Sequence, residues 1–74
     1  MIFMQFTEFK IIDSGNFEKN KIWIQLDHIA SVRECPCQAD RSWIELSSGT
    51  THEVDGYADD ILKAIVSEYS AKRD

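Results

Sequence analysis

The chain has 74 residues, 43% of them hydrophobic, and a formal net charge of −5. This length predicts one small domain over residues 1–74, and the apolar content is too high for a disordered tail. The acidic balance argues against direct nucleic-acid binding, because phosphate backbones attract proteins through clustered Lys and Arg.

The first apolar segment, MIFMQF, is far too short to span a membrane, and no basic residues precede it as they would in a signal peptide. We therefore expect a cytoplasmic protein without a membrane span. In that compartment Cys35 and Cys37 are expected to be reduced thiols.

Five strands are predicted in chain order. The segment IFMQFTEFKII predicts a first strand over residues 2–12, because it is rich in β-branched and aromatic residues and stops at the turn cluster DSGN. Alternation of apolar and polar residues predicts the next four in KIWIQL (21–26), IASVREC (29–35), SWIELS (42–47) and THEV (51–54). Strands two to five are expected to form an antiparallel meander.

A helix is predicted after the last strand, because the apolar spacing in YADDILKAIVSEYSAKRD changes to three and four residues. Its apolar positions are Ala58, Ile61, Leu62, Ile65, Val66 and Tyr69. Asp55 or Gly56 is predicted as its cap. The predicted fold class is α+β, with one C-terminal helix packed on an antiparallel sheet of four or five strands.

One helix can cover only one face of this sheet. Alternation assigns to the covered face Ile22, Ile24, Leu26, Ala30, Val32, Ile44, Leu46 and Val54. The opposite face is expected to carry Trp23, Arg33, Cys35 and Trp43, joined by Phe3 and Phe9. Aromatic side chains beside Arg are typical of protein interfaces, so this face is predicted to bind a protein partner or a second copy of the chain. Alternatively, the first strand or the DSGNFEKN loop covers these rings, or the sheet closes into a small barrel.

The segment CPCQADRS contains both cysteines of the chain. A zinc site needs four converging ligands, and His28 and His52 are expected at the strand ends opposite the thiols, so no metal site is predicted. We interpret the segment as a connecting loop at the rim of the interface. The competing hypothesis is a thiol-based redox sensor at Cys35 and Cys37, whose thiols are expected beside an exposed hairpin tip.

The chain shows no nucleophile elbow and no glycine-rich phosphate loop, and Asp27 beside His28 is expected to cap a turn. We therefore predict no catalytic residues, no cofactor and no enzymatic activity.

An acidic edge is predicted from Glu53, Asp55, Asp59 and Asp60. The simplest interpretation is a solvated edge, with the last two in the first helical turn, where the macrodipole favours carboxylates. A sharper hypothesis is an inhibitor that uses this edge against a basic protein surface.

The stretches IWIQLDHIASVRE and WIELSSGTTHEVDGYADDILKAI, within residues 22–65, resemble the small flagellar and swarming-motility proteins of the FlbD/SwrD type. The resemblance rests on the corner QLDHI, the hairpin SSGT, the strand end HEV and the acidic pair Asp59 and Asp60. It implies a sheet-plus-helix fold and a non-enzymatic role in a bacterial or phage protein, and it transfers no catalytic residues.

Overall fold

The computed structural model describes residues 2–36 and 38–72. They form β1 Phe3–Asp13, β2 Asn16–Gln25, β3 Ile29–Glu34, β4 Arg41–Leu46, β5 Thr51–Asp55 and α1 Ala58–Lys72. A short 3-10 helix, Leu26–His28, lies between β2 and β3. The predicted α+β class is confirmed, because α1 packs on a five-stranded antiparallel sheet.

The strand order differs from the predicted meander. Across the sheet the order is β2-β1-β5-β4-β3, so β3, β4 and β5 form a meander whereas β2 pairs with β1 as a hairpin. These two units join where β1 pairs with β5, with Glu8 opposite Val54. The prediction failed between β2 and β3, because the 3-10 helix carries the chain to the far edge of the sheet and does not form a hairpin.

β2 begins at Asn16, well before the predicted start at Lys21. Its first half belongs to the distal part of the β1–β2 hairpin, residues 10–21, all of which are exposed and which we call the hairpin arm. Apolar alternation marks strands that have one buried face. The arm is solvated on both faces, so its sequence NFEKN carries no such alternation and was predicted as loop.

The link between β2 and β3 forces the sheet to curl. From Gln25 to Ile29 the chain spans at most about 14 Å, whereas the outer strands of a flat five-stranded sheet lie about 19 Å apart. A cavity of about 370 Å³ shows the result, since Ile24 of β2 and Leu46 of β4 both line it although two strands separate them in the sheet. The sheet stays open in the described residues, because β2 and β3 do not pair.

The core lies on the concave side of the curled sheet. Ile44 and Val54 have no exposed surface, and Phe6, Ile24 and Ile61 complete the buried cluster. Burying an aliphatic or aromatic side chain of this size contributes about 1.5–3 kcal/mol. Residues from both the hairpin and the meander contribute, so the core holds the two units together.

Helix α1 packs on β3 and β4. It buries Ala58 and Ile61, and its last turns are tied to the 3-10 helix by the Tyr69 hydroxyl, which donates to Asp27 Oδ1 at 2.6 Å. This hydrogen bond raises the pKa of Tyr69, because the hydroxyl must keep its proton to donate. At 15 residues, with charges along its length, α1 could not span a bilayer, and the described chain offers no other helix that could.

Three side chains predicted to be covered are exposed. In β3 the register shifts between Ile29 and Ser31, and this bulge turns Ile29 toward the core in place of Ala30. In α1, Leu62 and Val66 face solvent, because the helix rests on two strands at one side of the sheet and buries a narrower stripe than the sequence predicted.

Gly56 makes the turn from β5 into α1. Its φ is +120°, and a Cβ at this position would lie 3.4 Å from the side chain of Ile61. Its carbonyl accepts a hydrogen bond from the buried Ser42 hydroxyl at 2.8 Å. The first helical hydrogen bond runs from Ile61 N to Tyr57 O, so Tyr57 occupies the cap position and the predicted Asp55 or Gly56 cap was wrong.

Substitution of the buried centre is expected to destabilise the fold. Ile44→Val should lower the free energy of unfolding by about 0.5–1.5 kcal/mol, because it leaves a methyl-sized void at a site that has no exposed surface. Ile12→Val is the matched control on the arm, where Ile12 is exposed, and should change it by less than about 0.5 kcal/mol. Urea unfolding followed by circular dichroism measures both, and equal effects would contradict this assignment of the core.

Candidate functional site

The face of the sheet turned away from α1 carries a connected group of polar and aromatic side chains. Trp43 of β4 lies between Arg33 of β3 and Glu53 of β5 in the sheet register, and Phe9 of β1 lies opposite Lys19 of β2. We call this surface the open face. Its open-face cluster consists of Phe9, Phe17, Lys19, Arg33, Cys35, Arg41, Trp43 and Glu53.

The Glu53 carboxylate is the centre of this cluster. Oε1 accepts a hydrogen bond from Trp43 Nε1 at 3.1 Å, and Oε2 is paired with the Arg41 guanidinium at 2.9 Å. The Cys35 thiol also donates to Oε1, at 3.7 Å. One half-buried carboxylate therefore orients three side chains that come from two other segments of the chain.

These contacts change the acidity of Glu53. Burial raises its pKa, but the hydrogen bonds from Trp43 and Arg41, the Arg41 charge and the weaker Cys35 hydrogen bond together outweigh burial and lower the pKa below its ordinary value of 4.5. The carboxylate is thus held in its ionised form, in which it accepts hydrogen bonds from all three neighbours.

Cation–π contacts extend the cluster to both edges of the sheet. The Arg41 guanidinium lies 3.9 Å from the ring centroid of Phe9 and 5.1 Å from that of Phe17. Lys19 Nζ lies 5.4 Å from the Phe9 centroid, and Arg33 Cζ lies 5.9 Å from the Trp43 ring. Such contacts contribute about 0.5–1 kcal/mol at exposed sites.

The hairpin arm borders the cluster. Phe9 and Phe17 pack edge to face with centroids 5.6 Å apart. A groove of about 260 Å³ separates them from Gln38, in the loop before β4, and from Arg41, the first residue of β4. The arm thus partly covers the cluster from the side of Phe17, whereas Trp43 stays half-exposed and Arg33 exposed.

The structure brings together Arg33, Cys35, Trp43 and Glu53 of the predicted site and leaves Trp23 apart. Trp23 is 61% exposed and lies opposite Gln5, about 13 Å along β2 from Lys19 at strand rise. Two strands also separate β2 from β4. Trp23 therefore lies outside the open-face cluster, although it is on the same strand, β2, as the cluster residue Lys19.

The predicted acidic edge is divided. Glu53 is directed into the open-face cluster, where Arg41 neutralises it. Asp55, Asp59 and Asp60 are exposed around the start of α1. Strand alternation places Glu53 and Asp55 on the same face of the sheet, whereas Asp59 and Asp60 belong to α1.

The thiol and imidazole side chains do not converge in the described residues. Cys35 is buried on the open face, and Cys37 lies outside the described residues. His52 is on the covered face, where its Nδ1 is paired with the Glu8 carboxylate. Within residues 2–36 and 38–72, no three potential metal ligands come together.

Sequence reasoning missed Lys19, Phe17 and Arg41. The first two were assigned to a loop because the arm lacks an apolar face, although alternation back from Trp23 along β2 would have placed both on the open face. Arg41 was missed because the predicted fourth strand began one residue late, at Ser42. Extending that strand by one residue places the Arg41 side chain beside Glu53.

No protein family, no curated protein and no solved structure matches this chain. The resemblance to FlbD/SwrD-type motility proteins therefore stays a prediction, and the site must be judged on its geometry.

The Glu53 contacts predict a dependence of stability on pH. Because the folded pKa is lowered, the stabilisation by the carboxylate is fully present above pH 4.5 and is lost as the pH falls through the folded pKa. Glu53→Gln should therefore be less stable than the wild type at pH 7, and the difference should shrink toward pH 3. Urea unfolding across this range measures it.

The matched control is Glu18→Gln, which removes an exposed carboxylate from the arm. The free energy of unfolding of this variant should differ little from that of the wild type at every pH. A Glu53→Gln deficit that is equally large at pH 7 and pH 3 would contradict the assigned role of the charge.

Proposed function

We propose that this chain is a small protein-interaction or regulatory module without catalytic activity, which binds a protein partner or a second copy of itself through the open face. The observation that carries the proposal is the open-face cluster. It presents the aromatic rings of Phe9 and Trp43 beside the exposed cations Lys19 and Arg33 on the face that α1 leaves uncovered. Trp, Phe and Arg are enriched in protein interfaces.

The geometry of the cluster also favours binding. Trp43 is held by its hydrogen bond to Glu53, and Arg41 is held by the same carboxylate and by two rings. Side chains that are ordered before binding lose less conformational entropy when a partner arrives. Less of the contact energy is then spent on ordering them.

The competing redox function has weaker support. A thiol sensor needs a sulfur that an oxidant can reach, but Cys35 is only 5% exposed and its Sγ is directed at Glu53. We therefore give the cysteine a structural part in the cluster. A cytoplasmic location belongs to the same proposal, on the strength of the sequence pattern, as does the absence of nucleic-acid binding.

Substitution of Trp43 is expected to remove binding through the open face. Sedimentation velocity first asks whether the wild type self-associates. If the wild type self-associates, Trp43→Ser should shift the equilibrium toward the monomer, because the central ring is lost. If the wild type is a monomer, the immobilised wild type should retain a partner from a lysate, and the immobilised Trp43→Ser variant should not. Trp23→Ser, at the exposed edge, should have a smaller effect in the same assay.

Val66→Ser is the matched control, because Val66 is 62% exposed on α1 and distant from the open face. Circular dichroism must show that each variant is folded. The proposal is wrong if folded Trp43→Ser protein behaves like wild type and like the Val66→Ser control in both assays.

A further inference from the structure

The open face carries its unpaired cations at its two flanks. Lys19 lies on β2 and Arg33 on β3, the two edge strands of the sheet. The two ion pairs found in residues 2–36 and 38–72 are Arg41 with Glu53 and His52 with Glu8. Within that part of the chain, Lys19 and Arg33 therefore have aromatic neighbours but no carboxylate partner.

The centre of the open face is neutralised internally. Glu53 is paired with Arg41, and Glu45 accepts a hydrogen bond from the Ser31 hydroxyl at 3.2 Å. Four basic side chains, Lys19, Lys21, Arg33 and Arg41, share this face with four acidic ones, Asp13, Glu45, Glu53 and Asp55. The face is therefore balanced in charge on a chain whose net charge is −5, and its two cations without a carboxylate partner, Lys19 and Arg33, lie beside the half-exposed rings of Phe9 and Trp43.

From this layout we propose that the partner of the open face is an acidic protein segment, with carboxylates at two points that flank an apolar or aromatic centre. The inference rests on the proposed function and names the class of partner. Its carboxylates pair with Lys19 and Arg33, and its centre packs on Phe9 and Trp43. Complementary charges at the rim of an interface speed association and select the partner.

The spacing of the two cations limits the length of this segment. Lys19 and Arg33 are separated by four inter-strand distances, which amounts to about 19 Å along the sheet surface. An extended segment covers this distance with about six residues at strand rise, and a helix with about 13 residues at 1.5 Å each. The flanking acidic groups should have one of these two separations.

A second copy of the chain fits this face less well. In aligned packing, two stacked sheets keep their strands within about 30° of each other, so the row from Lys19 to Arg33 would lie over the same row of the other copy. Both ends of the row are cationic. In either orientation of a two-fold dimer, like charges then meet, and that juxtaposition is costly.

Single-stranded nucleic acid also suits a surface of aromatic and basic side chains. Here it would place phosphates near Glu45, Glu53 and Asp55, in a chain whose overall charge is negative. A continuous polyanion therefore meets repulsion along the middle of the face. A segment that is acidic only at its flanks avoids it.

The test uses the full chain and three probes labelled with fluorescein. The first is a short peptide in which glutamate pairs flank a leucine–tryptophan–leucine centre at the extended spacing, the second is the same peptide with glutamine in place of glutamate, and the third is oligothymidylate. Fluorescence anisotropy at low and high salt gives the affinities. The acidic peptide should bind at least about tenfold more tightly than the glutamine peptide. High salt should weaken the binding of the acidic peptide, because the charges at the flanks are solvent-accessible.

The charge-reversal variant Lys19→Glu with Arg33→Glu should lower the affinity for the acidic peptide by about tenfold or more. Lys63→Glu is the matched control, because Lys63 is an exposed lysine on α1, and it should change the affinity by less than about twofold. Circular dichroism checks that both variants fold.

Every other outcome overturns the inference. Equal binding of the glutamine peptide, with loss on Trp43→Ser, would keep the open face as an interaction surface and reject the acidic partner. Tighter binding of oligothymidylate would point to nucleic acid, and concentration-dependent sedimentation with no peptide binding would point to a second copy. If no probe binds and the Trp43→Ser variant matches wild type in the lysate assay, the proposed function fails as well.

Discussion

The short connection between β2 and β3 is the constraint on which the rest of the fold depends. Backbone hydrogen bonds from Leu26 N to Ile2 O and from Ser47 N to His28 O fix it to both halves of the sheet. Because this connection is short and joins strands at opposite edges, the sheet must curl to bring those two edges close together. The curl produces a concave side that holds the core and a convex side that one helix cannot reach.

The convex side is organised by electrostatics more than by burial. A single carboxylate, Glu53, aligns an indole, a guanidinium and a thiol, and the guanidinium in turn contacts two phenyl rings that pack on each other. No one of these contacts is strong, but they share members, so each limits the freedom of the next. A small domain thereby obtains an ordered surface without a second layer of structure.

The sequence predicted the parts of this molecule that have one buried face. Alternation located the core positions Ile24, Ile44 and Val54 and the outward direction of Trp43, because burial of one side selects apolar residues at every second position. It failed for the arm, which has no buried side, and at the β3 bulge, which reverses the pattern at Ala30.

Alternation also failed to predict side-chain contacts between segments that are distant in the chain. Nothing local predicts that Glu53 pairs with Arg41, or that Phe17 reaches the same guanidinium, since both depend on the order of strands across the sheet. That order depends on pairing between strands that are distant in the chain, such as β1 with β5, and local alternation carries no information about it.

The seam where β1 meets β5 has a consequence for local unfolding. The hairpin and the meander with its helix are each built from contacts between neighbours in sequence, and they join in the sheet through that one pairing. Such units open separately on the timescale of amide hydrogen exchange. The open-face cluster straddles the seam, with Phe9 on one unit and Arg41 on the other. A ligand that contacts both edge strands would therefore hold the two units together. Its binding would slow the exchange of amides on both sides of the seam.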